Sequence, residues 1–192
     1  YFWTEAHLDR LYGKTIGIIG LGSIGREIAK RARAFEMRVI ACESNPGSDL
    51  SQVDLLLRPE ELPRLLKDSD YVVVSIPLTP ETKGLIGKEQ FQMMKPSAYF
   101  INISRGGIVV ESELYESLQK RVIAGAGLDV FEKEPLPNDS PLLELENVIL
   151  TPHIAVTTPG YLEKAADLFC QNVERFLKGE SLINLIDKQR GF

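Results

Sequence analysis

Cysteine and histidine, which most often build disulfide frameworks and transition-metal sites, are scarce in this sequence. Its 192 residues include two cysteines and two histidines, and Cys42 and Cys170 do not form a C-x-x-C pair. We therefore expect no metal site and no redox motif. We also expect two reduced, mostly buried thiols in a reducing, cytoplasmic compartment.

Basic charge and long apolar runs are also lacking. The formal net charge is −5, which argues against a nucleic-acid partner because such partners favour basic surfaces. A local cluster of arginines could still bind an anionic small molecule. No apolar run reaches the ~18 residues that a membrane span requires, so we expect no membrane partner.

Short apolar stretches are present instead, and they alternate with segments of helical periodicity. Strands are predicted at 15–20, 38–42, 71–76, 98–103, 123–130 and 148–150, and helices at 23–35, 59–68, 88–94, 111–120 and 159–177. This alternation predicts βαβ units and a parallel sheet, and the continuous apolar strands predict burial on both sheet faces.

The fold class that follows is α/β, a Rossmann-type doubly wound parallel sheet with helices on both faces. We assign residues 1–192 to one domain, in which 1–12 form a lead-in segment. The apolar face of the first helix is predicted to consist of Ile24, Ile28, Ala32 and Phe35.

A glycine motif follows the first predicted strand and opens the first predicted helix. Gly20, Gly22 and Gly25 fit the pattern G-x-G-x-x-G, which is specific for dinucleotides only in this strand–helix context. Gly20 permits a tight turn, Gly22 lets a pyrophosphate approach the backbone, and Gly25 lets the helix pack closely. The helix N-terminus then offers N–H groups to the phosphates. The alternative is a glycine-rich turn that binds no ligand.

An acidic residue ends the second predicted strand, where this motif requires one. Glu43 directly follows the apolar run 39–42, and its carboxylate can accept hydrogen bonds from the adenosine ribose diol. It would repel a 2′-phosphate, and no Arg or Lys follows it until Arg58. We therefore expect NAD as the cofactor, with NADP less favoured. The alternative is a solvated loop glutamate.

Polar residues follow three further apolar strands, at the edge where parallel sheets bind ligands. Arg105 precedes two glycines, and His153 follows the strand 148–150. Asp129 lies at the end of the strand 123–130, and Glu134 lies in the loop after it. Taken singly, each has an ordinary alternative, such as a surface ion pair, a helix cap or a structural histidine. His7, in the lead-in segment, is assigned to the ordinary alternative.

Together these residues form a set suited to hydride transfer. His153 would exchange the proton of the reacting hydroxyl, and Glu134 would orient its ring and favour the charged imidazole. Arg105 would bind a substrate carboxylate through two parallel hydrogen bonds. Asp129 could hold the nicotinamide carboxamide. The expected substrate is a small 2-hydroxy or 2-keto acid.

At this point the sequence closely resembles the D-isomer-specific 2-hydroxyacid dehydrogenases. The resemblance extends from residue 13 to residue 155 through the segments GKTIGIIGLGSIGREIAKRARAF, IPLTPETKGLIG, FINISRGGIVVESEL, AGAGLDVFEKEPLP and NVILTPHIA. It implies an NAD-dependent oxidoreductase in which Arg105, Glu134 and His153 are catalytic. It also implies cofactor contacts at Ser23, Ile24, Pro77, Ile103, Ser104, Arg105 and Asp129.

The sequence departs from the family's pattern in three places. The N-terminal substrate-binding domain of the family is absent from this chain, so we expect it to bind cofactor better than it turns over substrate. Glu43 stands where many members have Asp. Ala155 and Val156, which come after His153 and Ile154, replace the Gly-Gly of some members. The resemblance also implies a homodimer formed through this domain, and Tyr1 to Trp3 belong either to that interface or to contacts with the missing domain.

Two functions other than catalysis fit the same fold. One is a non-catalytic NAD(H)-sensing interaction protein of the corepressor type, and the other is an assembly domain with a vestigial site. The presence of Arg105, Glu134 and His153 together favours the enzyme, because a sensor needs only the glycine motif and its acidic partner.

Overall fold

Seven strands form one parallel sheet in the computed structural model, which describes residues 9–45, 47 and 49–188. The strands are β1 (Thr15–Ile19), β2 (Arg38–Cys42), β3 (Leu55–Leu57), β4 (Tyr71–Val74), β5 (Tyr99–Asn102), β6 (Gly125–Leu128) and β7 (Val148–Leu150). The helices are α1 (Ser23–Ala34), α2 (Leu62–Asp68), α3 (Lys88–Met93), α4 (Glu111–Gln119) and α5 (Tyr161–Leu177). The expectations for Tyr1, Phe2, Trp3 and His7 lie outside the described residues.

The strands are arranged in the order β3-β2-β1-β4-β5-β6-β7. From β1 the chain builds outward through β2 to β3, then returns to place β4 on the other side of β1 and continues to β7. The order therefore reverses between β1 and β4, and in such sheets ligands bind beyond the carboxyl ends of the strands at that point. The predicted doubly wound parallel sheet is confirmed.

Two apolar clusters cover the two faces of this sheet. Every residue of β1 is buried, and successive side chains alternate between the faces, with Ile18 in one cluster and Ile19 in the other. Helix α1 packs on the Ile18 face. Helices α2, α3 and α4 contribute buried side chains to the Ile19 face. The expected placement of helices on both faces is confirmed.

The predicted apolar face of α1 is partly wrong. Ile24 and Phe35 are 55% and 58% exposed, whereas the buried residues of the helix are Gly25, Ala29 and Ala32. Helix α1 lies so close to the β1 loop that a Cβ on Gly25 would be 2.1 Å from the Gly20 carbonyl oxygen. Small side chains therefore face the sheet, Ile28 packs partly buried beside them, and Ile24 and Phe35 lie on the outer side.

Two other features differ from the sequence expectations or were missed by them. The edge strand β3 has only three residues, too few for a periodic pattern. The prediction of mostly buried thiols holds for Cys42 but is wrong for Cys170, which is exposed on α5. In the described part of the chain, no helix is both long and apolar enough to cross a membrane.

Candidate active site

The β1–α1 loop has the tight geometry that its glycines allow. Gly20 has φ +97°, and a Cβ there would lie 2.5 Å from Ile76 Cγ2 and 2.7 Å from the Ser75 carbonyl oxygen. Both the backbone angle and the lack of space require glycine at this position. The hydroxyl of Ser75 donates to the Gly20 carbonyl at 2.8 Å and holds the loop against β4. No sequence motif predicts this role of Ser75.

The space beside Gly22 is open, whereas the spaces beside Gly20 and Gly25 are occupied by other atoms. Gly22 is the N-cap of α1 with φ −71°, an ordinary angle for any residue, and no atom lies within 4 Å of its ideal Cβ. Ser23 and Ile24 are exposed in the first turn of the helix. This concavity at a helix N-terminus fits a dinucleotide pyrophosphate, which needs backbone N–H groups and no intervening side chain.

The carboxylate of Glu43 is fixed beside this loop at the end of β2. Its Oε2 accepts from the Leu21 N–H at 2.9 Å, and its Oε1 accepts from the Asn45 N–H at 3.1 Å. Partial burial opposes ionisation, but these hydrogen bonds outweigh it and lower the pKa of Glu43. A fixed negative charge therefore lies next to the glycine loop.

A basic residue that the spacing argument overlooked also reaches this region. Arg26 of α1 donates to the carbonyl of Asp49, in the loop after β2. The expectation for NAD considered only the cations downstream of Glu43, whereas Arg26 comes from α1. The feature of the sequence that could have indicated this contact is the position of Arg26, four residues after Gly22, on the helical turn that faces the loop after β2.

The loop that carries Arg105 is held by the last residue of β5. The buried Asn102 side chain donates to the Arg105 carbonyl at 3.1 Å, and its oxygen accepts from the N–H of Ser104 at 3.1 Å. Arg105 itself is exposed. Ile103 and Ser104 are partly buried beside it, and Pro77, which follows β4, is also partly buried.

His153 and Glu134 form a direct pair. His153 Nδ1 lies 2.7 Å from Glu134 Oε2, and the other carboxylate oxygen accepts from the Phe131 N–H at 3.0 Å. The hydrogen bond from His153 and that from Phe131 lower the pKa of Glu134. Because an ionised carboxylate can only accept, Nδ1 is the donor and Nε2 is left for other partners.

Glu134 lies between the other two members of the predicted set. It lines a cavity of about 630 Å³ together with Arg105 and Lys83. It also lines a second, more apolar cavity of about 500 Å³ together with His153. The structure therefore brings the three residues to one edge of the sheet, beyond the carboxyl ends of β5, β6 and β7.

Asp129, expected to contact the cofactor, is buried and already accepts hydrogen bonds within the chain. It is 4% exposed, and its carboxylate accepts three hydrogen bonds from the segment that contains His153. Burial raises the pKa of Asp129, but the hydrogen bonds from Thr151, Ala155 and Ile154 outweigh that effect and lower it overall.

Among the described residues, no group of three or more His, Cys, Asp or Glu side chains could hold a metal ion.

The fold and the glycine loop define a dinucleotide-binding α/β domain, and comparison with known proteins gives its family. The family described as D-isomer specific 2-hydroxyacid dehydrogenase, NAD binding domain, matches residues 2–155. The chain belongs to this family, as the resemblance predicted.

Individual relatives are similar over nearly the whole chain. It is 42% identical to the glyoxylate reductase of Korarchaeum cryptofilum over 93% of this chain and 54% of that protein. It is 40% identical to the D-3-phosphoglycerate dehydrogenase of Methanocaldococcus jannaschii over 92% of this chain and 34% of that protein. The chain thus spans about half or less of the length of these relatives.

A solved structure gives the same result. The D-isomer specific 2-hydroxyacid dehydrogenase of Xanthobacter autotrophicus, in complex with NADPH and MES, has a TM-score of 0.90 and 37% sequence identity. The match covers 99% of this chain and 77% of that one. That relative was solved with NADPH, so membership of the family does not by itself determine the choice between NAD and NADP.

Proposed function

We propose that the chain transfers hydride between NAD(H) and a small D-2-hydroxy acid or its 2-keto acid. The observation that carries the proposal is the 2.7 Å contact between His153 Nδ1 and Glu134, beside the cavity that Glu134 shares with Arg105. An acid/base group and a carboxylate-binding group at one ligand-binding edge suit a substrate with a carbonyl next to a carboxylate. Two relatives are named glyoxylate reductase and D-3-phosphoglycerate dehydrogenase.

Arg105 binds the substrate carboxylate in this proposal. A guanidinium offers two parallel N–H groups that match a carboxylate. The Asn102 amide holds the backbone carbonyl of Arg105, and the side chain of that residue is exposed. The same positive charge polarises the adjacent carbonyl and stabilises the alkoxide that reduction creates.

His153 holds and moves the proton. Glu134 engages Nδ1, so Nε2 is the nitrogen that donates a proton to the carbonyl oxygen during reduction and accepts it back during oxidation. The Glu134 carboxylate orients the ring through its contact with Nδ1. The nicotinamide, when bound, supplies or accepts the hydride. Pro77, Ile103 and Ser104 are proposed to contact the cofactor near its reactive end.

We further propose that NAD is preferred over NADP. Glu43 is held beside the glycine loop and its lowered pKa keeps it negative, so that it would bind a ribose diol and repel a 2′-phosphate. Glu43→Gln should therefore reduce the ratio of NADPH to NADH dissociation constants, with Glu60→Gln as an exposed control. Tighter binding of NADPH than NADH by the unaltered chain would contradict this preference.

Association of two chains through this domain is also proposed. Helix α5 has no buried residue in this chain, and apolar side chains such as Phe169 and Phe176 are exposed on it. Sedimentation velocity over a range of concentrations tests the proposal, since a single-chain mass at every concentration would contradict it.

The decisive test of function measures cofactor binding and turnover separately. NADH binding is followed by its fluorescence, and oxidation of NADH by its absorbance with glyoxylate, hydroxypyruvate, pyruvate and phenylpyruvate. The assay uses the protein at its full natural length, because we expect poor turnover by this chain alone. We expect turnover that His153→Ala abolishes and that the surface control Lys120→Met leaves unchanged. Tight NADH binding with no turnover on any keto acid would instead favour the sensing protein.

A further inference from the structure

We propose that Asp129 is a positioning residue that holds His153 in the geometry needed to contact Glu134. The inference rests on the proposed function for its catalytic meaning, but its structural part can be tested without cofactor. It assigns Asp129 a partner other than the nicotinamide carboxamide expected from the sequence.

Asp129 binds the histidine segment on both sides of the histidine. Before it, the Thr151 hydroxyl donates to Oδ1 at 2.6 Å. After it, the N–H of Ile154 donates to Oδ1 at 3.0 Å, and that of Ala155 donates to Oδ2 at 2.9 Å. Three of the roughly four acceptor positions of a carboxylate are therefore used by one short segment.

The segment needs this support because of its backbone conformation. His153 has φ +52°, in the left-handed region that side-chain-bearing residues seldom adopt. Such conformations persist where the surroundings over-determine them. Three hydrogen bonds to a single carboxylate that is 4% exposed provide that constraint.

Asp129 also connects this segment to the rest of the site. Its own N–H donates to the carbonyl of Asn102 at 3.0 Å, and Asn102 holds the Arg105 loop. Two residues after Asp129, the N–H of Phe131 donates to Glu134 at 3.0 Å. The Asp129 carboxylate therefore holds the histidine segment, and the backbone around Asp129 links that segment to Glu134 and to the arginine loop.

The tautomer of the His153 imidazole reports directly on this placement. With Nδ1 donating to Glu134, the neutral ring carries its proton on Nδ1 rather than on Nε2. Long-range ¹H–¹⁵N correlation spectra distinguish the two tautomers. The chain has two histidines, so a His7→Gln background leaves His153 as the one imidazole observed.

Three substitutions, at Asp129 and Thr151, test how strongly these hydrogen bonds determine the tautomer of His153. Asp129→Asn keeps the shape but replaces one acceptor with a donor group, and we expect it to shift the ring toward the Nε2–H form. Thr151→Val removes one hydrogen bond and should shift the ring partly, whereas Thr151→Ser keeps the hydroxyl and should restore the original tautomer. Thr151→Val also serves as the readout if Asp129→Asn does not fold.

A destabilised variant outside the site serves as the control. Asn147 precedes β7, at the opposite end of the same strand, and its amide donates to the Leu118 and Ala124 carbonyls. Asn147→Ala should lower stability while leaving the His153 tautomer unchanged. An equal tautomer shift in this control would mean that the signal follows general stability, and the proposal would be overturned.

Kinetics separate the positioning role from cofactor contact. With a keto acid that the unaltered chain reduces, Asp129→Asn should lower kcat by roughly 10²-fold, the effect of about 1 Å of misplacement. The dissociation constant of NADH should change less than about threefold. Loss of NADH affinity with an unchanged tautomer and kcat would overturn the proposal and leave Asp129 as a cofactor contact. Absence of turnover in the unaltered chain would count against the proposed function alone, since the tautomer still decides the positioning role.

Discussion

The backbone of Phe131 touches Gly106 so closely that a Cβ on Gly106 would be 1.9 Å from the Phe131 carbonyl carbon. Gly106 follows Arg105, and the Phe131 N–H holds Glu134. The two segments that carry these charged residues are therefore in direct contact, and any side chain between them must push them apart.

Gly106→Ala should destabilise the fold and disturb the site together. Overpacking of this kind costs about 1–3 kcal/mol or more, because the obstructing atoms belong to backbone and cannot rotate away. Gly107→Ala is the matched control, since its Cβ would meet only the flexible Leu78 side chain at 3.2 Å. Urea denaturation measures both, and a Gly106→Ala chain as stable as Gly107→Ala would contradict the contact.

Gly22→Ala should leave the fold intact but impair cofactor binding. The backbone angle is ordinary and the surrounding space is open, so we expect stability to change by no more than about 1 kcal/mol. A methyl group in the pyrophosphate concavity should weaken NADH binding at least about tenfold, by roughly 1.4 kcal/mol. Gly127→Ala in β6 is the control, as its Cβ would have 3.9 Å of clearance. Unchanged NADH affinity would place the pyrophosphate elsewhere.

The sequence predicted the sheet well because parallel strands are buried on both faces and give continuous apolar runs. Each predicted strand appears, with ends that differ by a few residues, and Glu43, Arg105 and His153 all follow strands as expected. The strand–helix context of the glycine motif and the strand ends also located the edge where the site lies.

Features that depend on distance between segments could not be predicted in this way. The apolar face of α1 was assigned from periodicity, but the close approach at Gly25 reversed the positions of small and large side chains. The roles of Ser75 and Arg26 depend on contacts across the sheet edge. The three hydrogen bonds of Asp129 depend on a left-handed residue that no local pattern signals.

Arg105→Ala should impair keto-acid use and spare the cofactor. Hydrogen bonds to charged groups contribute about 1.5–3 kcal/mol, so KM for the keto acid should rise by roughly 10- to 150-fold. NADH affinity, measured by fluorescence, should stay within about threefold. Arg105→Lys keeps the charge without the two parallel N–H groups and should recover part of the loss. An equal loss of NADH affinity would contradict this division of roles.

Glu134→Gln should lower the rate of reduction. The Glu134 carboxylate accepts a hydrogen bond from His153 Nδ1 at 2.7 Å, and a neutral amide replaces this charge-assisted hydrogen bond with a weaker one. We expect kcat to fall at least about tenfold, or by roughly 1.4 kcal/mol, because the imidazole is held less firmly. Initial rates measure the change, with Glu132→Gln, in the adjacent loop, as the control. Equal rates in the two variants would show that the pair does not control the reaction.

Lowering the pH should reduce the free energy of unfolding as Asp129 becomes protonated. Its pKa is lowered in the folded chain by hydrogen bonds that outweigh burial, so below the ordinary aspartate value the unfolded chain binds more protons than the folded one. Stability therefore rises with pH in that window: the contribution of Asp129 is complete above about pH 5 and is lost as the pH falls through its folded pKa. Urea denaturation at a series of acidic pH values measures the free energy of unfolding. It should decline less steeply with falling pH for Asp129→Asn than for the unaltered chain. For Asn147→Ala it should be lower at every pH but should decline as steeply as in the unaltered chain. Equal pH dependence of the free energy of unfolding in all three chains would contradict this prediction. It would mean that the pKa of Asp129 is the same in the folded and unfolded chain.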